Sequence, residues 1–191
     1  MASNQGVVGS NPAGRTSFMN NLKIIVISGL PGSGKSTLAE GIARKLHIPV
    51  FSVDPIDSAI IRSGINKSFK TGFAAYLVAE TLADEQLKLG NTVLIDAVNA
   101  EEEGKAMWRK LAKNREAKLI IIECVLADKK LHRSRVKSRI RNLHGLPEIS
   151  WSDVEARRKK YTKWSEPTLQ LDTSNERIAN LQQSLEYIQS A

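Results

Sequence analysis

With 191 residues, 41% hydrophobic and 25% charged, the chain is long and apolar enough to bury a proper core in a soluble globular protein. Its longest apolar runs, Ile24 to Ile27 and Leu119 to Ile122, are far too short to span a bilayer, so no membrane attachment is expected. A net charge of +8 points to polyanionic partners, nucleic acid or phosphorylated small ligands, and a single cysteine, Cys124, excludes an internal disulfide and suits a reducing compartment, the cytoplasm.

Residues 1–20 are rich in Asn, Gly and Ser and lack the charged start and long apolar run of a secretory signal. A disordered tail is expected there, with the compact domain covering 21–191 and Met19 an alternative start. A buried strand follows at about 23–28, then a glycine turn, then a helix to about His47 with Leu38, Ala39, Ile42, Ala43 and Leu46 apolar at helical spacing. Val50 to Val53 reads as a second strand. Asp54-Pro55-Ile56-Asp57 then opens a helix with Pro at its first position. A turn at 66–70 leads to a long helix, Phe73 to Leu89, whose apolar face is read as Ala75, Leu77, Val78, Leu82 and Leu87, closed by Gly90. Thr92 to Asp96 is a third strand, Glu101 to Asn114 a helix with acidic residues in its first turn, and Lys118 to Leu126 a fourth strand. Leu131 to Arg141 reads as a densely basic helix, 142–149 as a loop with Gly145 and Pro147, and Trp151 to Trp164 as a helix capped by Ser150 or Ser152. A short strand at 168–171 and an amphipathic helix from Glu176 to Gln189 complete the chain. Strands alternating with helices imply a parallel sheet covered on both faces, with ligands beyond the carboxyl ends of its strands.

The turn after the first strand, Gly29-Leu30-Pro31-Gly32-Ser33-Gly34-Lys35-Ser36-Thr37, fits G-x-x-x-x-G-K-[ST] without mismatch. Its glycines let the backbone curl so that N–H groups point inward at phosphate oxygens, and the following helix adds its positive end. Gly29, Pro31, Gly32, Ser33, Gly34, Lys35, Ser36 and Thr37 are therefore the candidate nucleotide-binding residues. Lys35 reaches the outer phosphates as a mobile point charge, and the Ser36 hydroxyl is a magnesium ligand. Asp96, ending an apolar strand, suits a second magnesium-side acid; the competing reading is a cap for the next helix. Asp54 reads both as a helix N-cap and as a general base facing the phosphate. The basic run Lys129, Lys130, Arg133, Arg135, Lys137, Arg139 and Arg141 reads as a solvated face or as a lid over the phosphates. Arg135 and Arg139, sharing a helix face at i and i+4, are the candidates in it. His47, His132 and His144 lack metal-ligand spacing. The three tryptophans are expected to pack helices and Cys124 to be a buried thiol.

From about residue 22 to residue 189 the chain resembles the small ATP-dependent kinases of the P-loop class. The group is that of the AAA-type ATP-binding kinases, with relatives of zeta toxins, chloramphenicol phosphotransferase and the kinase domain of polynucleotide kinase. The likeness rests on Gly29 to Thr37, Phe51-Ser52-Val53-Asp54, Ile95-Asp96-Ala97-Val98-Asn99 and the basic segment. It implies a three-layer α/β/α P-loop NTPase fold, a five-stranded parallel sheet in the order 2-3-1-4-5, and a lid at about 129–150. It also implies ATP and magnesium as cofactors, Asp54 as general base and an adenine site near Asp172 to Ser174. Two positions depart from the pattern: Val98 stands where relatives have threonine, and Asp57 where polynucleotide kinases often carry an arginine for an acceptor phosphate. A carboxylate there repels a phosphorylated acceptor, though Arg62 lies near enough in sequence to offset it. The expected activity is γ-phosphate transfer to a hydroxyl of a small neutral or cationic molecule, with Asp54, Lys35, Arg135 and Arg139 catalytic. The alternatives are a nucleotide or polynucleotide kinase, which the 5% aromatic content supplies with few stacking platforms, and a nucleotide-gated interaction module. The sequence fixes neither the acceptor nor the oligomeric state.

Overall fold

In the computed structural model, which describes residues 22–191, five parallel strands lie between two layers of helices. The expected tail at residues 1–20 lies outside the described residues. In chain order the elements are β1 (Lys23–Ser28), α1 (Lys35–Leu46), β2 (Val50–Ser52), α2 (Val53–Arg62), α3 (Phe69–Lys88) and β3 (Val93–Asp96). They continue with α4 (Glu102–Asn114), β4 (Lys118–Val125), α5 (Lys129–Ser138), α6 (Trp151–Lys160), β5 (Thr168–Asp172) and α7 (Arg177–Ser190). The sheet order is β2-β3-β1-β4-β5, as the resemblance implied. With β1 central, the loop after it opens onto the middle of the sheet's carboxyl edge.

Side-chain alternation along β1 builds the two cores. Ile24 and Val26 face one side, with Trp108, Ala75 and Leu87, and Ile25 and Ile27 face the other, with Ile42, Leu171 and Ile188. Because both faces are covered, β1 and β4 carry unbroken apolar runs rather than polar alternation. Cys124 is buried among the second set, and burial pushes its thiol up to about 12. Trp108 and Trp164 are likewise packed inside.

Four elements differ from the sequence reading. α2 begins at Val53 directly after β2, with Ser52 at the cap position, so Asp54 is the second helical residue and Pro55 the third. The N-cap reading of Asp54 is thereby replaced, and its carboxylate is engaged elsewhere. α3 starts four residues early, because Ser68 and Thr71 form a reciprocal capping box invisible to apolar periodicity. Its buried stripe is Ala75, Ala79, Ala83 and Leu87, whereas Leu77, Val78 and Leu82 point outward. α5 starts early at the Asp128 cap, whose carboxylate accepts from the Lys130 and Leu131 amides, and it ends at Ser138. Arg139 has extended backbone, so it and Arg135 do not share a helix face. α6 stops at Lys160, leaving Trp164 in the connection to β5.

Candidate active site

The loop 29–34 is held from below by backbone and from the side by the lid helix. Gly29 has φ 147°, and a Cβ there would lie 2.5 Å from the Cys124 carbonyl oxygen, backbone that cannot yield. Gly32 has φ 81°, and its Cβ would lie 2.6 Å from Val136 Cγ2 on α5. The Gly29 amide donates to the Val98 carbonyl at 3.4 Å, and the Ala97 amide to Ile27 at 3.3 Å, stitching the end of β3 to the start of the loop. α1 then starts at Lys35, with Gly34 as its left-handed cap, so the first free amides of the helix face the loop's concavity.

That concavity is a cavity of about 220 Å³ lined by Gly32, Gly34, Lys35, Ser36, Thr37, Arg135 and Arg139. The two arginines thus meet over the phosphate loop although they leave α5 differently. Arg135 is fixed by two bonds to the loop after β5, from Nη1 to Thr173 Oγ1 at 3.2 Å and from Nη2 to the Thr173 carbonyl at 3.0 Å. Lys35 is 4% exposed, and among the described residues it has no carboxylate within ion-pair distance. A buried ammonium lining an open cavity without an acid partner requires an anion to be stable there. The Ser33 hydroxyl in the same loop is buried without a hydrogen-bond partner. Beside this cavity lies a larger one of about 350 Å³, sharing Gly34, Thr37 and Arg135 and walled by Thr173, Leu181 and Arg177.

Asp96 ends β3 next to β1, in register with Ile27 on one side and Ser52 on the other. Its Oδ2 accepts from Ser52 Oγ at 3.2 Å, and its Oδ1 is buried with no partner. It caps no helix, since α4 starts after Glu101. With the Ser36 hydroxyl at the head of α1, this orphaned oxygen makes a donor set that fits a hydrated magnesium ion. A hard cation takes one hydroxyl, the phosphates and water held by a carboxylate.

The sequence reading missed three residues around this centre. The first is Arg141, whose Nη1 lies 3.3 Å from Asp54 Oδ2. Its side chain is only 4% exposed, pinned by Glu148 Oε2 at 3.4 Å and by the Pro147 carbonyl at 2.5 Å. This ion pair clamps the lid's return loop to α2, as does Ser58 Oγ donating to the His144 carbonyl at 2.8 Å. The second is Tyr76 on α3, whose hydroxyl accepts from the Asn99 amide at 3.1 Å. Burial raises it to about 12, with the Asp54 and Asp96 carboxylates adding to the effect against that hydrogen bond and Arg157. The third is His132 on α5, 1% exposed, whose Nε2 bonds the Pro31 carbonyl at 2.8 Å while Arg158 donates to Nδ1 at 3.1 Å. A carbonyl only accepts and a guanidinium only donates, so the ring is neutral with its proton on Nε2. Burial lowers its pKa, against the pull of the Pro31 hydrogen bond. The basic run gave only a charge count and the three histidines only their lack of ligand spacing; which cation bonds which carbonyl depends on how the lid folds back.

A family model described as an AAA domain matches residues 24–161. The chain belongs to that family. The chain is 32% identical over 110 residues to an adenylyl-sulfate kinase of Bacillus licheniformis, covering 54% of this chain and 55% of that protein. An adenylyl-sulfate kinase of Bacillus pumilus is 32% identical over 115 residues, covering 56% and 57%. The chain thus spans about half the length of the curated relatives it matches. In three dimensions this AAA domain is similar to the Mycobacterium tuberculosis APS kinase CysC in complex with AMPPNP and APS. There the TM-score is 0.67 at 19% identity, over 88% of this chain and 98% of that one, a likeness of fold. The similarity reaches the AAA domain family as a whole and does not single out zeta toxins, chloramphenicol phosphotransferase or polynucleotide kinase.

Proposed function

We propose that the protein is an ATP- and magnesium-dependent kinase that phosphorylates a hydroxyl of a small molecule. The observation that carries this reading is the buried, unpaired Lys35 at the head of α1, in a cavity shared with Arg135 and Arg139. In this reading a nucleoside triphosphate lies across the two neighbouring cavities, which share Gly34, Thr37 and Arg135, with phosphates at Lys35 and the base between Thr173 and Leu181. Ser36 and Asp96 would hold a magnesium ion, which when bound would neutralise charge on the phosphates. The names of the curated relatives and the AMPPNP in the CysC complex support the same reading.

Asp54 is the general base. Its carboxylate takes the acceptor hydroxyl's proton as the acceptor oxygen bonds to the γ-phosphorus and the bond to the departing ADP oxygen breaks. Lys35, Arg135 and Arg139 bear the charge that accumulates on the transferring group. On the acceptor side, Asp57 Oδ1 is buried without a partner, a carboxylate oxygen that a hydroxyl or ammonium donor would satisfy and a phosphate would not. It favours a neutral or cationic acceptor, a sugar or an aminoglycoside-like alcohol. A second reading is an anionic acceptor such as adenylyl sulfate, favoured by the relatives' names and by the Arg141 guanidinium beside Asp54. Incubation with ATP and magnesium against a panel of alcohols, nucleotides and 5′-hydroxyl oligonucleotides, read by mass spectrometry for the gain of one phosphoryl group, tests the proposal. Transfer to a small alcohol is expected. Transfer to adenylyl sulfate alone selects the second reading, and hydrolysis with no acceptor phosphorylated overturns both.

A further inference from the structure

The chemistry proposed above makes no use of Tyr76, although its hydroxyl stands beside the carboxyl end of β3. α3 packs against α2, the helix that carries Asp54, and the phenol oxygen lies 3.1 Å from the amide of Asn99, three residues past Asp96. The ring is held in place from several sides. Gly104 on α4 leaves room for it, since a Cβ there would lie 3.2 Å from Tyr76 Cε1. Trp108 lies tilted against it, with ring centres 6.2 Å apart. The Trp108 indole N–H donates to Asn99 Oδ1 at 2.9 Å, and Asn99 Nδ2 donates to Ser28 Oγ at 3.0 Å. Those bonds fix Asn99, 1% exposed and left-handed at φ 50°, with its amide on the phenol. An amide only donates, so the phenol oxygen accepts there and its own proton is left to give elsewhere. Among the described residues that proton has no acceptor. Burial first, with the Asp54 and Asp96 carboxylates adding to it, keeps the phenol protonated at neutral pH.

Resting on the kinase reading above, we propose that Tyr76 selects the acceptor: its O–H donates to the hydroxyl oxygen next to the one phosphorylated, so the acceptor is a vicinal diol. The reacting oxygen itself is the wrong target. Its proton goes to Asp54 and its lone pair to phosphorus, and a donor on it would withdraw electron density from the bond being made. A neighbouring oxygen has no such conflict. An ammonium group in that place has no lone pair to accept with. A carboxylate there lacks a free counter-charge, because Arg141, the cation paired with Asp54, is already shared with Glu148. A neutral hydroxyl satisfies the phenol without adding charge. A site that supplies a fixed donor for one hydroxyl rejects the analogue lacking it, because the donor is then left unpaired.

The test compares glucose, ribose, inositol and glycerol with their monodeoxy and monoamino analogues, each with ATP and magnesium, for wild type and Tyr76→Phe. For a diol that the wild type phosphorylates, losing the hydroxyl next to the reacting one is expected to lower kcat/KM about tenfold, chiefly through KM for the acceptor. Replacing it by an ammonium should cost at least as much. In Tyr76→Phe the diol is expected to fall by about the same factor and the deoxy analogue hardly at all, with KM for ATP unchanged. This cycle separates recognition from structure, because loss of the bond to Asn99 would slow both substrates alike. Equal losses on the diol and its deoxy analogue therefore overturn the proposal. A wild type indifferent to the neighbouring hydroxyl also overturns it, whether or not the variant folds. Transfer only to acceptors without a vicinal diol overturns it while leaving the kinase reading in place, and transfer to no acceptor overturns both.

Discussion

The phosphate loop is made of consecutive residues, Gly29 to Thr37, whereas the proposed acceptor side draws Asp54, Tyr76 and Arg141 from three separate segments. The first is shaped by backbone: positive-φ glycines, amides at a helix start, and a loop bonded to the next strand over. The second is shaped by side chains meeting across the sheet edge, through an ion pair and a few hydrogen bonds. A backbone cradle keeps its form whatever the flanking sequence. A side-chain constellation is as specific as its weakest partner and is readily retuned. A fold of this kind can thus keep one phosphate cradle while the side chains facing it are retuned.

The cradle's largest expected failure is Lys35→Ala. Removing the buried ammonium leaves loop amides and Arg135 but no mobile charge on the phosphates, and transfer is expected to fall about 1,000-fold or more. Calorimetric titration with ATP should show weakened binding in the same variant. If both are unchanged, the cavity is not a phosphate site.

Asp54→Asn is the matched test on the other side. It keeps the shape of α2, so ATP binding is expected to survive while the transfer rate drops about 100-fold or more. Equal loss in binding and rate would mean that Asp54 supports the fold of the lid rather than the chemistry.

Arg141→Ala is expected to be milder, about tenfold in kcat, because the Asp54 carboxylate, the proposed base, persists but loses the guanidinium 3.3 Å away. Glu148 loses its partner too, so the return loop loosens from α2. Nucleotide affinity should stay near that of the wild type, which separates this positioning role from any contact with phosphate, and Arg141→Lys should recover part of the rate.

The same division explains what could be read from the chain. The cradle and Asp96 at a strand end follow from local pattern, since a glycine spelling between an apolar strand and an amphipathic helix has few other uses, whereas the sheet order came from the resemblance. The inward face of α3 misled because Leu77, Val78 and Leu82 are apolar and periodic, and hydrophobicity does not say which side the sheet will take. Arg135 and Arg139 were placed on one helix face by spacing, yet α5 ends between them and they meet at the cavity anyway. Arg141 was one charge in a basic run; its distinction is an 87-residue separation from Asp54 that only folding closes.

His132 offers the smallest effect and the sharpest view of the joint between the two sides. It ties the Pro31 carbonyl in the cradle to Arg158 on α6 and stacks edge-on against Trp151 at 5.2 Å, so its ring bridges loop, lid and α6. Its pKa in the folded chain is held below the ordinary 6.5, first by burial. The unfolded chain therefore binds more protons than the folded one between that depressed value and about 6.5. Its contribution to stability is present above pH 6.5 and is lost as the pH falls below it. A protonated ring also could not accept from Arg158, and it would set two cations 3.1 Å apart. Melting temperature followed from pH 8 to pH 5 should fall on the acid side in the wild type and fall less in His132→Gln. The glutamine keeps a donor for Pro31 and an acceptor for Arg158 without a titrating group. Parallel curves for the two proteins would show that the tie between cradle and lid is not what acid breaks.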